Sequence, residues 1–591
     1  FANLIGKSAD LGMASRHGEA LRTLLGMVDS GFQRPVKNTR SEDVSMFNPN
    51  SKLTAAGVAV ALGLSGLLSS TALAQEVTLQ APGGNSVTGT LLEFDGTSYR
   101  INSTFGELTI AASQVECSGA ACPVIEEPEP DAPAQPVVKL PPDLEQSVVV
   151  AGSDTFGAGL MPLLSAGYAN ARETFEERTT STDGSEFVSY LVTNGGFGDE
   201  LGSIRARKSV TSDAFANLIG KSADLGMASR RITQDEADAL ARFGAGDMFS
   251  PSNEHIVAAD SLVVIVHPSN KVQSLTLEQA RGIFSGEITR WSELGGRNTP
   301  IQVVEFAENS GTASVFNQRL YGDEVKGRAA DRIVANGNVE AANAVLGDSN
   351  AISYVSLAFL RGNTPVTIIN ECGLPMTPDS FSARTEEYSL QRFLYLYSRD
   401  DTRTAMVRDF IDYATSSEAD GVIQKSGFID LGIDRRPQSP DGQRAEQLRQ
   451  VSATGLERRV ASDMLNQMSN FDRLSATFRF TLGSSRLTRR GELNIARLTE
   501  YLEQQPAGTR VRFVGFTDSL GAFENNLALA ASRAAQVQAS VLSFAGDRLD
   551  GIVTDTAAYG ELAPTGCNDS PTAGSRINRR VEVWIEAEAD S

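Results

Sequence analysis

The chain has 591 residues, too many for one core, so three or four domains are expected. Its formal charge of −21 argues against a nucleic-acid binder, which needs a broad basic face. Three histidines (His17, His255 and His267) and four cysteines without zinc spacing leave histidine-based or metal-centred catalysis poorly supplied.

Residues 1–16, FANLIGKSADLGMASR, repeat residues 215–230 letter for letter, and no second copy follows. Diverged structural repeats do not stay identical over such a length. Residues 1–45 are therefore read as an artefact or a non-native leader, with a genuine cytoplasmic leader as the alternative. Met46 then opens a stretch with Lys52, an apolar run from Ala55 to Leu68, and Ala72-Leu73-Ala74 before Gln75. That pattern predicts a secretory signal peptide over 46–74, and the run is too short for a membrane span.

Residues 75–123 read as a small β module. Val87–Leu92, Ser98–Asn102 and Glu107–Ala111 are strand-like, with Asp95-Gly96 as a hairpin turn. Cys117 and Cys122 are spaced to close a small disulfide loop, while the pairing of Cys372 and Cys567 stays open. A linker over 124–145 is rich in proline and acid. It cannot bury a core, and at about 3.1 Å per residue it spans roughly 60 Å.

Over 146–436 strands alternate with helices, which predicts an α/β fold. Val148-Val149-Val150 runs into Ala151-Gly152-Ser153-Asp154-Thr155-Phe156. Ala223–Ala228 ends at Ser229-Arg230, Thr233 and Glu236 form a capping box, and Ile301–Glu305 leads to Ser310-Gly311-Thr312 at a helix start. Strand-to-helix turns rich in Ser, Thr and Gly suit an anion cradle, because helix N-termini carry unpaired N–H groups and a positive dipole end. Each hydroxyl alone is equally an N-cap; together they favour a site.

AGSDTF, STDGSEF, ADLGMASRRI, LTLEQARGIFSGEITRWSELGG, FAENSGT and AISYVSLAFL resemble the PstS-type phosphate-binding proteins, the periplasmic receptors of phosphate importers. The resemblance implies a two-lobed periplasmic-binding-protein fold and phosphate contacts at Thr155, Phe156, Ser185, Ser229, Ser310, Gly311 and Thr312. Two departures stand out. Arg230 occupies the place of an aspartate in the family's Ser-Asp pair, and Phe306 that of an arginine. The cation therefore moves to Arg230, and discrimination between phosphate and other oxyanions changes. His267, at a strand end, reads as structural.

Residues 437–470 form a charged, helix-prone connector. Leu448, Val451, Leu456, Val460, Met464 and Met468 recur near helical spacing, which fits a spacer packed on a neighbour. In the last stretch, 471–591, Val511–Phe516 alternates like a strand and delivers Thr517 and Asp518. A helix from about Glu524 to Leu542 then carries Arg533 off its apolar stripe. A carboxylate and a guanidinium flanking one cleft suit a zwitterion.

TDSLGAFENNLALAASRA, YGELAP and SRINRRVEVW resemble the OmpA-like C-terminal domain family, which grips peptidoglycan non-covalently. The resemblance implies an α/β sandwich in which Asp518 and Arg533 clamp diaminopimelate of the stem peptide, assisted by Thr517, Asn525 and Arg579. The chain as a whole is thus expected to be multidomain α/β and α+β, without a cofactor, metal or catalytic activity. It reads as a periplasmic oxyanion receptor of a Gram-negative bacterium, phosphate first among its ligands, tethered to the wall near the outer membrane. A phosphate ABC importer is the partner the resemblance implies. The alternative is an envelope or adhesion scaffold whose binding domain has lost its ligand.

Overall fold

The computed structural model describes residues 76–81, 86–95, 98–104, 106–123, 140, 144–193, 198–322, 329, 331–451, 455–480, 487–567 and 573–587. The expected leader, signal peptide and most of the linker lie outside them. The chain divides into two compact units, 1–131 and 132–591.

In the first unit five antiparallel strands form one sheet, in the order Gly106–Ala111, Ser98–Ser103, Ser86–Phe94, Glu76–Gln80, Glu116–Ser118. Val77, Leu79, Tyr99 and Ile101 point to one face and form its small core, as a period of two requires. Phe94 stacks on Tyr99. Cys117 and Cys122 are bonded, with Cα atoms 5.8 Å apart. Two of the five strands were not apparent in the alternation: Glu76–Gln80 abuts the expected signal peptide, and Glu116–Ser118 is only three residues long.

The second unit holds two sheets that position the candidate sites. The larger has eleven strands. Its axis is the 13-residue strand Glu254–Val266, a near-continuous apolar run buried on both faces. Residues 254–261 pair with Gln391–Ser398, and residues 262–266 with Ala351–Ser356. One strand thus passes from one α/β lobe into the other. The first lobe adds Leu225–Ala228 and Ser147–Ser153 in parallel, then Glu200–Ser209, Glu186–Val192 and Phe175–Thr180. The second adds Gln302–Phe306 and Ile333–Ala335. The middle of the chain therefore has a two-lobed periplasmic-binding-protein fold. The expected capping box of Thr233 with Glu236 forms, and Thr276 with Gln279 makes another.

The smaller sheet runs Arg435–Arg436, Phe471–Arg479, Arg580–Glu586, Arg510–Phe516, Val553–Ala558. Helices Arg489–Glu503 and Phe523–Ala545 pack on one face through Leu498, Leu502, Ala534, Val537 and Val541. The connector departs from the expectation of a spacer. Its helices Gln443–Arg449 and Leu456–Met468 bury Leu448, Met464 and Met468 against Val514, Phe516 and Trp584. Burial of these apolar stripes makes the connector the second layer of the C-terminal domain.

That domain is docked firmly on the two-lobed one. Cys372 and Cys567 form a disulfide between them. Arg473 reaches Glu387, Arg497 pairs with Asp420 at 2.9 Å, and Arg479 donates to the Thr385 carbonyl at 2.6 Å.

Candidate functional site

The first cluster lies where the two lobes meet. Strand Ser147–Ser153 ends in Gly152, at φ +128°, where a Cβ would stand 2.4 Å from the Met227 carbonyl oxygen. Only glycine fits there, and it turns the chain so that Thr155 and Phe156 enter a helix with both side chains buried. From the same lobe Thr211 and Ser229 bring their hydroxyls within 3.1 Å of each other.

From the second lobe comes helix Gly311–Tyr321, capped by Ser310, whose Oγ accepts from the Thr312 and Ala313 N–H groups. Its Gly311 lets the helix end approach the first lobe: a Cβ would stand 2.3 Å from Thr211 Oγ1 and 2.6 Å from Ser229 Oγ. Thr155 and Thr312 hydroxyls are 3.3 Å apart across the lobes, and Asn338 donates to Thr155 Oγ1 at 2.9 Å. Six of the eight residues expected from the sequence (Thr155, Phe156, Ser229, Ser310, Gly311 and Thr312) thus converge.

The other two do not join them. Ser185 is exposed in the turn before Glu186–Val192, and its hydroxyl is held by Asp183. Arg230 is the larger correction. Its guanidinium makes two hydrogen bonds to Glu236, at 2.7 and 2.8 Å, and lies over the Phe215 ring. Glu236 already caps the following helix, so a fixed carboxylate six residues on captures the arginine.

The cation of this cluster is instead Arg392, on strand Gln391–Ser398, which pairs with the strand that crosses between the lobes. Its Nη1 donates to Thr312 Oγ1 at 2.9 Å and its Nε to Asp260 Oδ2 at 2.8 Å. Its Nη2 is buried and has no partner among the described residues. Asp260 also accepts from Ser356 Oγ at 2.7 Å. Burial pushes the Asp260 carboxyl upward, against the Arg392 charge that pulls it down. Burial is also the larger influence on Arg392, lowering it. Sequence reasoning missed this arginine. Its one signal was a charge inside QRFLYLYS, an otherwise apolar strand. Phe306 sits in the core, its ring beside Tyr354, so no cation replaces it locally.

The second cluster is in the C-terminal domain. Strand Arg510–Phe516 carries Thr517 and Asp518 at its carboxyl end. Asp518 Oδ2 accepts from Arg579 Nη1 at 2.6 Å. Arg533, on helix Phe523–Ala545, lies over Phe480 with a buried Nη1 that has no partner among the described residues. Burial and the neighbouring Arg579 lower its guanidinium, and Asp518 opposes them. Thr517 Oγ1 is buried without a partner as well. Asn525 is exposed, whereas its neighbour Asn526 is buried against Glu561. One carboxylate between two guanidinium groups can take an ammonium at Asp518 and a carboxylate at the arginines. Among the described residues no group of His, Cys, Asp and Glu could hold a metal ion.

Residues 145–418 match the family model of the PBP superfamily domain. The phosphate-binding protein PstS of Borreliella burgdorferi is 24% identical over 279 residues, covering 44% of this chain and 93% of that protein. The phosphate-binding protein PstS of Bacillus subtilis is 24% identical over 282 residues, covering 46% and 89%. An ABC-type phosphate transport receptor from Vibrio cholerae aligns in structure at 22% identity and a TM-score of 0.35, covering 48% of this chain and 99% of its own.

Proposed function

With residues 145–418 as a PBP superfamily domain of PstS type, we propose that the chain is a receptor for an inorganic oxyanion, phosphate, held to peptidoglycan by its C-terminal domain. The observation that carries the ligand reading is Arg392: a buried guanidinium with an unpartnered Nη2, bonded to Thr312 beside Thr155. A desolvated donor with no acceptor costs stability until an acceptor arrives, and an oxyanion at the Gly311 helix start is such an acceptor. The relatives' phosphate binding and the hydroxyls of Thr155, Ser229 and Thr312 point to the same ligand. The function is binding without catalysis, in the periplasm, and delivery to a phosphate importer is the role it fits.

The test is calorimetry of residues 76–591, stripped of ligand, with orthophosphate. Micromolar or tighter binding is expected, weakened at least about tenfold, or 1.4 kcal/mol, by Thr312→Val. Silence from folded protein would favour the scaffold reading. One observation supports that rival: the cradle hydroxyls bond one another, Thr155 with Thr312 across the lobes and Thr211 with Ser229 within the first, so they are satisfied without an anion.

The tether reading rests on the grouping of Asp518, Arg533 and Arg579. Co-sedimentation with diaminopimelate-containing peptidoglycan is expected for the native chain and lost in Asp518→Ala. Sedimentation of that variant at the native level would leave the C-terminal domain without this role.

A further inference from the structure

Between the two-lobed domain and the C-terminal domain lies a cavity of about 510 Å³ whose walls are dominated by arginine. Arg230 and Arg231 on its rim are neutralised by Glu236 and Glu254. Arg392 is paired with Asp260 and Arg489 with Glu492, whereas Arg490, Arg319 and Arg576 are poorly compensated. Arg490 is 4% exposed, packs on the Phe393 ring, and among the described residues has no ion pair or hydrogen bond; its Nε and Nη1 are buried and unpartnered there. The Nε of Arg489 and the Nη2 of Arg392 are in the same condition. Arg319, from the opposite wall, is exposed to the cavity and forms no ion pair among the described residues. Arg576 reaches only Glu386, at 3.9 Å.

The placement of Arg489 and Arg490 breaks a local rule. They are the first two residues of helix Arg489–Glu503, capped by Thr488, where the positive end of the helix dipole disfavours cations. Arg489 is half-buried and pairs with Glu492 at 3.2 Å, but burying Arg490 there without a carboxylate partner among the described residues is costlier still, and burial pushes its guanidinium down to about 10. Violations of this kind mark sites kept for a ligand. Thr488 and Thr233, both helix N-caps, line the same space, so two helix starts add to its positive potential. A single phosphate, about the bulk of three waters at ~30 Å³ each, fills a small part of it.

We propose that this cavity is a second anion site, assembled jointly by the two domains, for a short polyphosphate chain, free or esterified, rather than for orthophosphate. It adjoins the cradle through Arg392, which lines the cavity and bonds Thr312, and rests on the oxyanion reading only at that shared residue. Several linked phosphates carry enough charge to pair Arg490, Arg489 and Arg319 at once, and enough length to reach from one wall to the other. Ser314 and Gln318 on the Gly311 helix supply neutral donors between them.

Inorganic tripolyphosphate and orthophosphate titrated separately into residues 76–591 at physiological ionic strength test this. Tripolyphosphate is expected to bind at least about tenfold tighter. Arg490→Gln and Arg319→Gln should each weaken it about fivefold or more while changing orthophosphate binding less than about twofold. Arg319 is exposed, so its variant keeps the test valid even where Arg490→Gln fails to fold. Tripolyphosphate binding no tighter than orthophosphate, or unchanged in Arg319→Gln, overturns the proposal. Orthophosphate binding alone would sink this site and leave the cradle; tripolyphosphate binding alone would do the reverse.

Discussion

Arg392 and Asp260 are direct register partners at the point where the long strand leaves one lobe for the other, and their side chains meet at 2.8 Å with 2% and 1% exposure. The pair therefore belongs at once to the junction between the lobes and to the proposed oxyanion cradle. Arg392 can present Nη1 to Thr312 only because Asp260 holds its Nε. Removing the carboxylate leaves a buried, uncompensated guanidinium. Asp260→Ala is expected to destabilise the domain by about 3–5 kcal/mol. Urea unfolding of the native and variant chains measures this, and a loss under about 1 kcal/mol would mean the pair is solvated in solution.

Arg230 separates the sequence reading from the structural one. As the cleft cation, its loss would abolish phosphate binding. Paired with Glu236 and stacked on Phe215, it is a local brace. Arg230→Ala should leave orthophosphate affinity within about twofold and lower stability by roughly 1 kcal/mol. Collapse of binding in calorimetry, with the fold intact, would restore Arg230 to the cradle.

The two arginines show what could be read along the chain. Thr155, Ser229 and Ser310-Gly311-Thr312 were legible because each sits on a local strand-to-helix turn, whose residues announce it. Asp518 and Arg533 were legible for the same reason: a strand end and the helix after it. Arg392 was not, because its role depends on a strand 80 residues beyond Thr312 reaching that hydroxyl. Nor was the partner of Arg230 apparent, since the capping-box pattern shows Glu236 turned to its own helix and says nothing of its second face. The connector's helical stripes and their packing on a neighbour were visible, but not that Phe516 and Trp584 would be the residues that cover them.

Cys372 and Cys567 are 195 residues apart in sequence, too far for spacing alone to pair them, and their bond closes a loop that spans both domains. Cross-linking so long a loop restricts the unfolded chain, with a typical gain of about 2–4 kcal/mol. A Cys372→Ser/Cys567→Ser double variant should therefore lose stability of that order. It should also exchange amide hydrogens faster along the junction, around Thr385, Glu387 and Arg479. Unchanged exchange there would show that the ion pairs of Arg473 and Arg497 suffice to hold the docking.

His255 supplies a pH dependence of definite sign. It lies on the strand Glu254–Val266, its Nε2 3.0 Å from Ser398 Oγ. Burial, then the charges of Arg403 and Arg489, lower it to about 4 from an ordinary 6.5. The folded protein thus holds this imidazole neutral where the unfolded chain protonates it. Its contribution is present above pH 6.5 and is lost as pH falls toward 4. Between pH 7 and 5 that loss is about 2 kcal/mol. His255→Gln keeps a group able to bond Ser398 and removes the titration. Its stability should therefore fall less than that of the native chain over this interval, by about the same 2 kcal/mol. Parallel pH profiles of urea unfolding for the two proteins would place the acid sensitivity elsewhere, in the carboxylates they share.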